Sequence, residues 1–160
     1  MNPAASAVFV GQVRVASVAS SNRGFAYGDG LFETMRVHRG GIPLWSRHLA
    51  RLRDGARRLG IALPELGFLE VQVLAFAGDV DGGVLKLLLT RDDGGRGYAP
   101  PVDAVPTWTL SRHPLPVPLP EALRLHDCAT RLAIQPALAG LKHCNRLEQV
   151  LARVEVEHAG

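Results

Sequence analysis

The chain has 160 residues, 47% of them hydrophobic and 21% charged, with a formal net charge of +3. This is the composition of a globular protein of one domain, or of two small ones, with enough apolar material for a core. No run reaches the apolar length of a bilayer span, no basic and apolar leader opens the chain, and the arginines are dispersed without interleaved aromatics, which argues against membrane and nucleic-acid partners.

Residues 7–18 alternate apolar and polar around Gly11-Gln12 and predict a hairpin or two short strands. Residues 20–24 read as loop. Phe25-Ala26-Tyr27-Gly28-Asp29-Gly30 places two glycines around an aspartate and predicts a tight turn with a close backbone approach. Residues 31–38 predict a strand with Phe32, Thr34, Arg36 and His38 on one face, and Arg39-Gly40-Gly41 turns it into a short strand at 42–44. Ser46 is the expected N-cap of a helix carrying Leu49, Leu52, Ala56 and Leu59 at helical spacing, with Gly60 as its stop. Within it, Asp54 and Arg58 suit an i,i+4 pair, and Gly55 admits a close neighbour. Pro64 begins a second helix that ends near Gly78. Asp81-Gly82-Gly83 predicts a turn, 84–90 a strand, 91–98 a polar glycine loop and 105–111 another strand.

Residues 113–120 carry proline at every second position and predict a stiff extended connector. Beyond it, 122–129 and 131–135 read as strands, and 145–158 as a helix with Leu147, Val150, Leu151 and Val154 inward. The organisation is therefore α+β: a small N-terminal domain at 1–112, a connector at 113–121, and the start of a second domain at 122–160. A second unit of that size seldom folds unaided. The pattern predicts a fragment, or a chain completed by another.

Basic charge comes almost wholly from arginine; Lys86 and Lys142 are the two lysines. Only lysine forms a Schiff base with a carbonyl cofactor and then exchanges a proton as an amine, because arginine stays protonated. A lysine for an aldehyde and an arginine for a phosphate are the minimum for holding pyridoxal phosphate, and Lys142 with mid-helix Arg51 supply that pair. The six histidines show no HExxH and no helical pairing, so no metal site is expected. Cys128 and Cys144 form no CxxC pair and suit a reduced cytoplasm without a disulfide. The Gly94-Gly95-Arg96-Gly97-Tyr98 loop is either an ordinary hairpin loop or a flexible one presenting Arg96 and Tyr98 to a substrate.

Arg23-Gly24-Phe25-Ala26-Tyr27-Gly28-Asp29-Gly30-Leu31-Phe32-Glu33-Thr34-Met35-Arg36-Val37 resembles the N-terminal signature of fold-type IV pyridoxal-phosphate enzymes, the class-IV aminotransferase family. Ser46-Arg47-His48-Leu49-Ala50-Arg51-Leu52 resembles that family's helix whose arginine grips the cofactor phosphate, which falls on Arg51. Leu141-Lys142-His143-Cys144-Asn145-Arg146-Leu147-Glu148-Gln149-Val150-Leu151 resembles its Schiff-base segment, and the lysine falls on Lys142. That segment and the Gly-Gly-Arg-Gly-Tyr loop look most like the 4-amino-4-deoxychorismate lyases, which release pyruvate and leave 4-aminobenzoate for folate biosynthesis. The resemblance implies a two-layer α/β N-terminal domain followed by the first part of an incomplete second domain, with pyridoxal 5'-phosphate on Lys142 and Arg51 in one cleft. It implies an acidic substrate near Arg96, Tyr98 and Tyr27, and a cytoplasmic homodimer. It also implies a further segment, with a glutamate for the pyridine nitrogen, that has no counterpart among these 160 residues. Two alternatives stay open: a D-amino-acid or branched-chain aminotransferase on the same fold, and an inactive fragment or interaction domain.

Overall fold

Alternating apolar residues with β-branched and aromatic side chains give five strands: β1 (Ser6–Val10), β2 (Val13–Val15), β3 (Gly30–His38), β4 (Gly82–Arg91) and β5 (Pro106–His113). The computed structural model describes residues 6–78, 82–94, 97–117 and 122–160. The strands form one antiparallel sheet in the order β2-β1-β5-β4-β3, so β3 is an edge strand. The predicted hairpin turns at Gly11-Gln12, where Gly11 takes the left-handed conformation (φ 58°) and Val10 pairs with Val13.

Side chains on one face of the sheet are buried: Ala7 and Phe9 of β1, Leu31, Met35 and Val37 of β3, Leu85, Leu87 and Leu89 of β4, and Trp108 and Leu110 of β5. Helices α2 (Trp45–Leu59) and α3 (Leu66–Ala77) supply Leu52, Ala56, Leu69 and Val73 to the core. Phe9 stacks on Trp108 with centroids 4.2 Å apart, and Phe68 of α3 meets both rings edge-on. Each large apolar side chain buried this way contributes about 1.5–3 kcal/mol. Gly55 of α2 lets Leu31 approach as expected; a Cβ there would lie 2.9 Å from a Leu31 methyl.

Several local expectations need correction. Residues predicted as loop and turn instead hold a short helix, α1 (Arg23–Tyr27), capped by the Asn22 side chain and closed by Gly28 at φ 66°. The strand expected at 42–44 is absent beyond a single bridge between His38 and Gly41, because Pro43 offers no N–H and Leu44 turns into the left-handed region at φ 61°. Leu44, not Ser46, occupies the N-cap of α2, without a side-chain cap. The second helix starts at Leu66, where the Glu65 carboxylate accepts from the Gly67 and Phe68 amides and is held below its usual pKa by those two bonds. Gly82 and Gly83, read as turn, are ladder residues of β4. Arg91, read as loop, ends the same strand. Asp81 lies outside the described residues.

The chain divides into two compact units: the residues up to Leu115 together with Leu141–Cys144, and Pro116–Gly140 together with Asn145–Gly160. In the second unit the strands expected at 122–129 and 131–135 are not formed, because among the described residues no neighbouring strand supplies them a ladder. Helix α4 (Leu147–Ala159) is present, but Leu147, Val150, Leu151 and Val154 are 77%, 53%, 58% and 40% exposed rather than inward. Among the described residues no helix is long and apolar enough to cross a membrane.

Candidate active site

The free edge of β3 carries the first half of the site. The Phe32 amide donates to the Lys142 carbonyl and the Cys144 amide to the Gly30 carbonyl, each at 2.9 Å, with Leu31 bridged to His143. These bonds lay 142–144 along β3 as a short antiparallel extension of the sheet. Gly30 is required for the approach: a Cβ there would sit 2.7 Å from the Leu89 carbonyl oxygen and 3.2 Å from Cys144 Sγ. The Lys142 amine lies over the Phe32 ring, 4.3 Å from its centroid.

Glu33, the next residue of β3, points to the opposite, helix-covered face and is 2% exposed. Its carboxylate takes a two-pronged grip from Arg51, Nε to Oε1 at 2.7 Å and Nη2 to Oε2 at 2.5 Å, and His48 Nδ1 stands 2.8 Å from Oε2. His48 and Arg51 are three residues apart on α2 and so share a helix face. The Glu33 hydrogen bond raises the Arg51 guanidinium above its ordinary pKa, against a smaller opposing effect of desolvation. Arg51 remains 48% exposed. The Nε and Nη2 edge of its fork is committed to Glu33. The fold thus brings Lys142 and Arg51 to consecutive residues of one strand, but from its two faces.

Tyr27 and Tyr98 meet each other, with ring centroids 5.6 Å apart, and Tyr27 Oη accepts from the Gly97 amide at 3.2 Å. Tyr98 is 86% exposed. Arg96 lies outside the described residues. Beneath this loop is a buried network for which the sequence reading assigned no role. Arg23 donates to Asp29 Oδ2 at 2.9 Å and to the carbonyls of Gly97, Tyr98 and Ala99. Arg91 donates to the same Asp29 oxygen at 2.9 Å, and to the carbonyls of Leu59 and Gly60 at the end of α2. The only sequence signal for this network is charge placed within an otherwise apolar and glycine-rich turn. Glu33 and His48 were likewise unassigned; their signal is a carboxylate at an inward position of an amphipathic strand.

In the second unit, His126, Cys128 and Glu155 bring ligand-type atoms within 4.8 Å of one another, a grouping that scattered histidines do not announce. Glu155 is already engaged there. It accepts from the amides of Ala129 and Thr130 and from the Thr130 hydroxyl, which lowers its carboxyl to about 2.

The amino-transferase class IV family matches residues 30–160. The chain is 37% identical over 145 residues to an aminodeoxychorismate lyase of Vibrio harveyi, a match covering 88% of this chain and 53% of that protein. It is 29% identical over 151 residues to a putative branched-chain-amino-acid aminotransferase of Methanocaldococcus jannaschii, covering 91% of this chain and 52% of that one. The crystal structure of 4-amino-4-deoxychorismate lyase from Pseudomonas aeruginosa is 51% identical and superimposes with a TM-score of 0.83, over 92% of this chain and 56% of that one. The chain spans about half the length of the curated relatives it matches.

Proposed function

Because the chain belongs to the amino-transferase class IV family, we propose that the protein is a pyridoxal-phosphate-dependent lyase that converts 4-amino-4-deoxychorismate to pyruvate and 4-aminobenzoate. The support is the similarity to two lyases, at 37% and 51% identity, together with the docking of the lysine segment on β3, where the Lys142 carbonyl accepts from the Phe32 amide and the Cys144 amide donates to the Gly30 carbonyl. Lys142 offers a primary amine for the cofactor aldehyde, and Arg51, half-exposed and gripped by Glu33 on the other face of β3, is the phosphate partner that the family resemblance assigns. When bound, a pyridoxal group supplies an electrophilic carbon and a ring that accepts an electron pair.

The chain's own residues do the rest. The ladder between 142–144 and β3 holds the Lys142 backbone, so the four-carbon side chain alone would swing between holding the aldehyde and standing free as an amine. That Nζ then takes the proton from the substrate carbon bearing nitrogen, and the enolpyruvyl group leaves as the substrate ring aromatises. Glu33 holds the Arg51 guanidinium in a fixed plane, which limits the rotamer freedom lost when a phosphate binds. Tyr98 and Tyr27 stand on the substrate side in this reading, and the whole protein acts as a cytoplasmic homodimer.

The experiment is Lys142→Ala in the full-length protein, followed by the visible band that pyridoxal gains on covalent attachment and by 4-aminobenzoate release. We expect the band to vanish and the rate to fall by on the order of 10²–10⁴. A variant that keeps both ends the proposal. The similarity to a branched-chain aminotransferase supports a second reading, transamination. Substantial glutamate formation from 2-oxoglutarate and an amino acid, without 4-aminobenzoate release, would favour it.

A further inference from the structure

The two ends of α1 face one loop. Arg23 and Tyr27, at i and i+4, share a helix face, and the Arg23 guanidinium carbon lies 4.8 Å from the Tyr27 ring centroid. All three nitrogens of that guanidinium are committed. Nη1 donates to the Gly97 carbonyl at 3.0 Å and the Ala99 carbonyl at 3.4 Å, Nη2 to the Tyr98 carbonyl at 3.0 Å, and Nε to Asp29 Oδ2 at 2.9 Å. Tyr27 Oη accepts from the Gly97 amide at 3.2 Å. In an extended chain, successive carbonyls point to opposite sides. Three in a row reach one guanidinium only where the backbone curls, and Gly97 supplies the curl at φ 98°. The anchor is buried, with Arg23 4% exposed, whereas the Tyr98 side chain it carries is 86% exposed.

So exposed a side chain gains little from packing, and its place is set by the backbone beneath it. Charge-assisted bonds from a buried group are the strong element of that backbone's support. A binding group that occupies its working position for only a fraction of the time weakens the apparent affinity by that fraction, and leaves the chemistry of the bound state as it was. We propose that Arg23 is a positioning residue, whose planar fork fixes the 97–99 backbone and thereby holds Tyr98 in place for the substrate. Lysine cannot replace it, because one ammonium has its donors on a single atom and cannot serve Asp29 and three carbonyls together. This rests on the lyase reading and on the placement of Tyr98 on the substrate side.

The test uses the cofactor-loaded full-length protein and compares Arg23→Gln, Arg23→Lys, Tyr98→Ala and the double variant Arg23→Gln/Tyr98→Ala. Arg23→Gln is expected to raise the KM for aminodeoxychorismate about tenfold with kcat within about threefold, and to speed hydrogen exchange at the Gly97 amide about tenfold. Tyr98→Ala should raise KM to a similar extent, and adding Arg23→Gln to it should raise KM by no more than about a further twofold, because the two act as one unit. Arg23→Lys keeps a charge beside Asp29, so it folds, and is expected to leave KM raised. Multiplying effects in the double variant, wild-type exchange in Arg23→Gln, or a wild-type KM in Arg23→Lys overturns the inference and leaves the lyase reading standing. A wild-type KM in Tyr98→Ala overturns it by removing Tyr98 from the substrate side. Absence of 4-aminobenzoate release by the unmutated protein would instead remove the lyase reading, and the inference with it.

Discussion

Asp29→Asn probes the network beneath the loop that carries Tyr98. A single oxygen, Asp29 Oδ2, accepts from Arg23 Nε and Arg91 Nε, each at 2.9 Å, and the side chains of Arg23, Arg91 and Asp29 are only 4%, 10% and 19% exposed. Each charge-assisted bond is worth about 1.5–3 kcal/mol, and breaking a buried pair by removing one charge costs about 3–5 kcal/mol. Both arginines keep carbonyl partners in the variant, Gly97, Tyr98 and Ala99 for Arg23, and Leu59 and Gly60 for Arg91, which softens the loss. The lower figure, about 3 kcal/mol, is therefore expected, and for a chain of this length it lowers Tm by about 6–12 °C. Urea unfolding followed by Trp108 fluorescence measures it, since that indole is fully buried in the same unit. The effect should persist in molar salt, where a solvated pair contributing 0–1 kcal/mol would be screened. A loss below about 1 kcal/mol, or one that disappears with salt, would refute the account of a buried node.

Gly30→Ala should cost about 1–3 kcal/mol by overpacking against the Leu89 carbonyl and the Thr90 methyl, 2.7 and 2.8 Å from the new carbon. Gly41→Ala, whose nearest neighbour is at 3.7 Å, should be tolerated; paired thermal melts compare the two, and equal behaviour would contradict the close approach. In the second unit, the Glu155 carboxyl is depressed from 4.5 to about 2 by the amides of Ala129 and Thr130. Its stabilising contribution is therefore complete above the ordinary value and is lost as pH falls from about 4.5 through about 2. The amide resonances of Ala129 and Thr130 should titrate with a midpoint near 2 and become flat across that window in Glu155→Gln; a midpoint at 4.5 would dispose of the assignment.

What could be read from the chain was what depends on local period. The β-like runs at 31–38, 84–90 and 105–111 fall on β3, β4 and β5, and the Leu49-Leu52-Ala56-Leu59 spacing with Gly60 gives α2. The Lys142 and Arg51 motifs were visible because their chemistry confines the choice of residue. Three kinds of feature were not. Caps depend on single backbone torsions, so Leu44 at φ 61° displaced the expected Ser46. Strands need neighbours, so 122–129 and 131–135 carry a strand pattern without a ladder. Long-range charge pairing is invisible to any window: Arg23, Asp29 and Arg91 are up to 68 positions apart, and Glu33 meets Arg51 across the core rather than along the chain. The face of α4 was misjudged for the same reason, since a periodic stripe reports which side is apolar but not whether anything covers it.

The three residues stitched to the free edge of β3 have a kinetic corollary. More than a hundred positions separate Gly30 from Cys144, so this pairing is among the last that loop-closure entropy permits. A nascent or partly refolded molecule can own a complete five-stranded sheet and still lack the Lys142 amine in place. Under the proposed function, competence to capture the aldehyde should lag behind recovery of the tryptophan signal during refolding, and the interval between the two clocks measures the docking of one short segment.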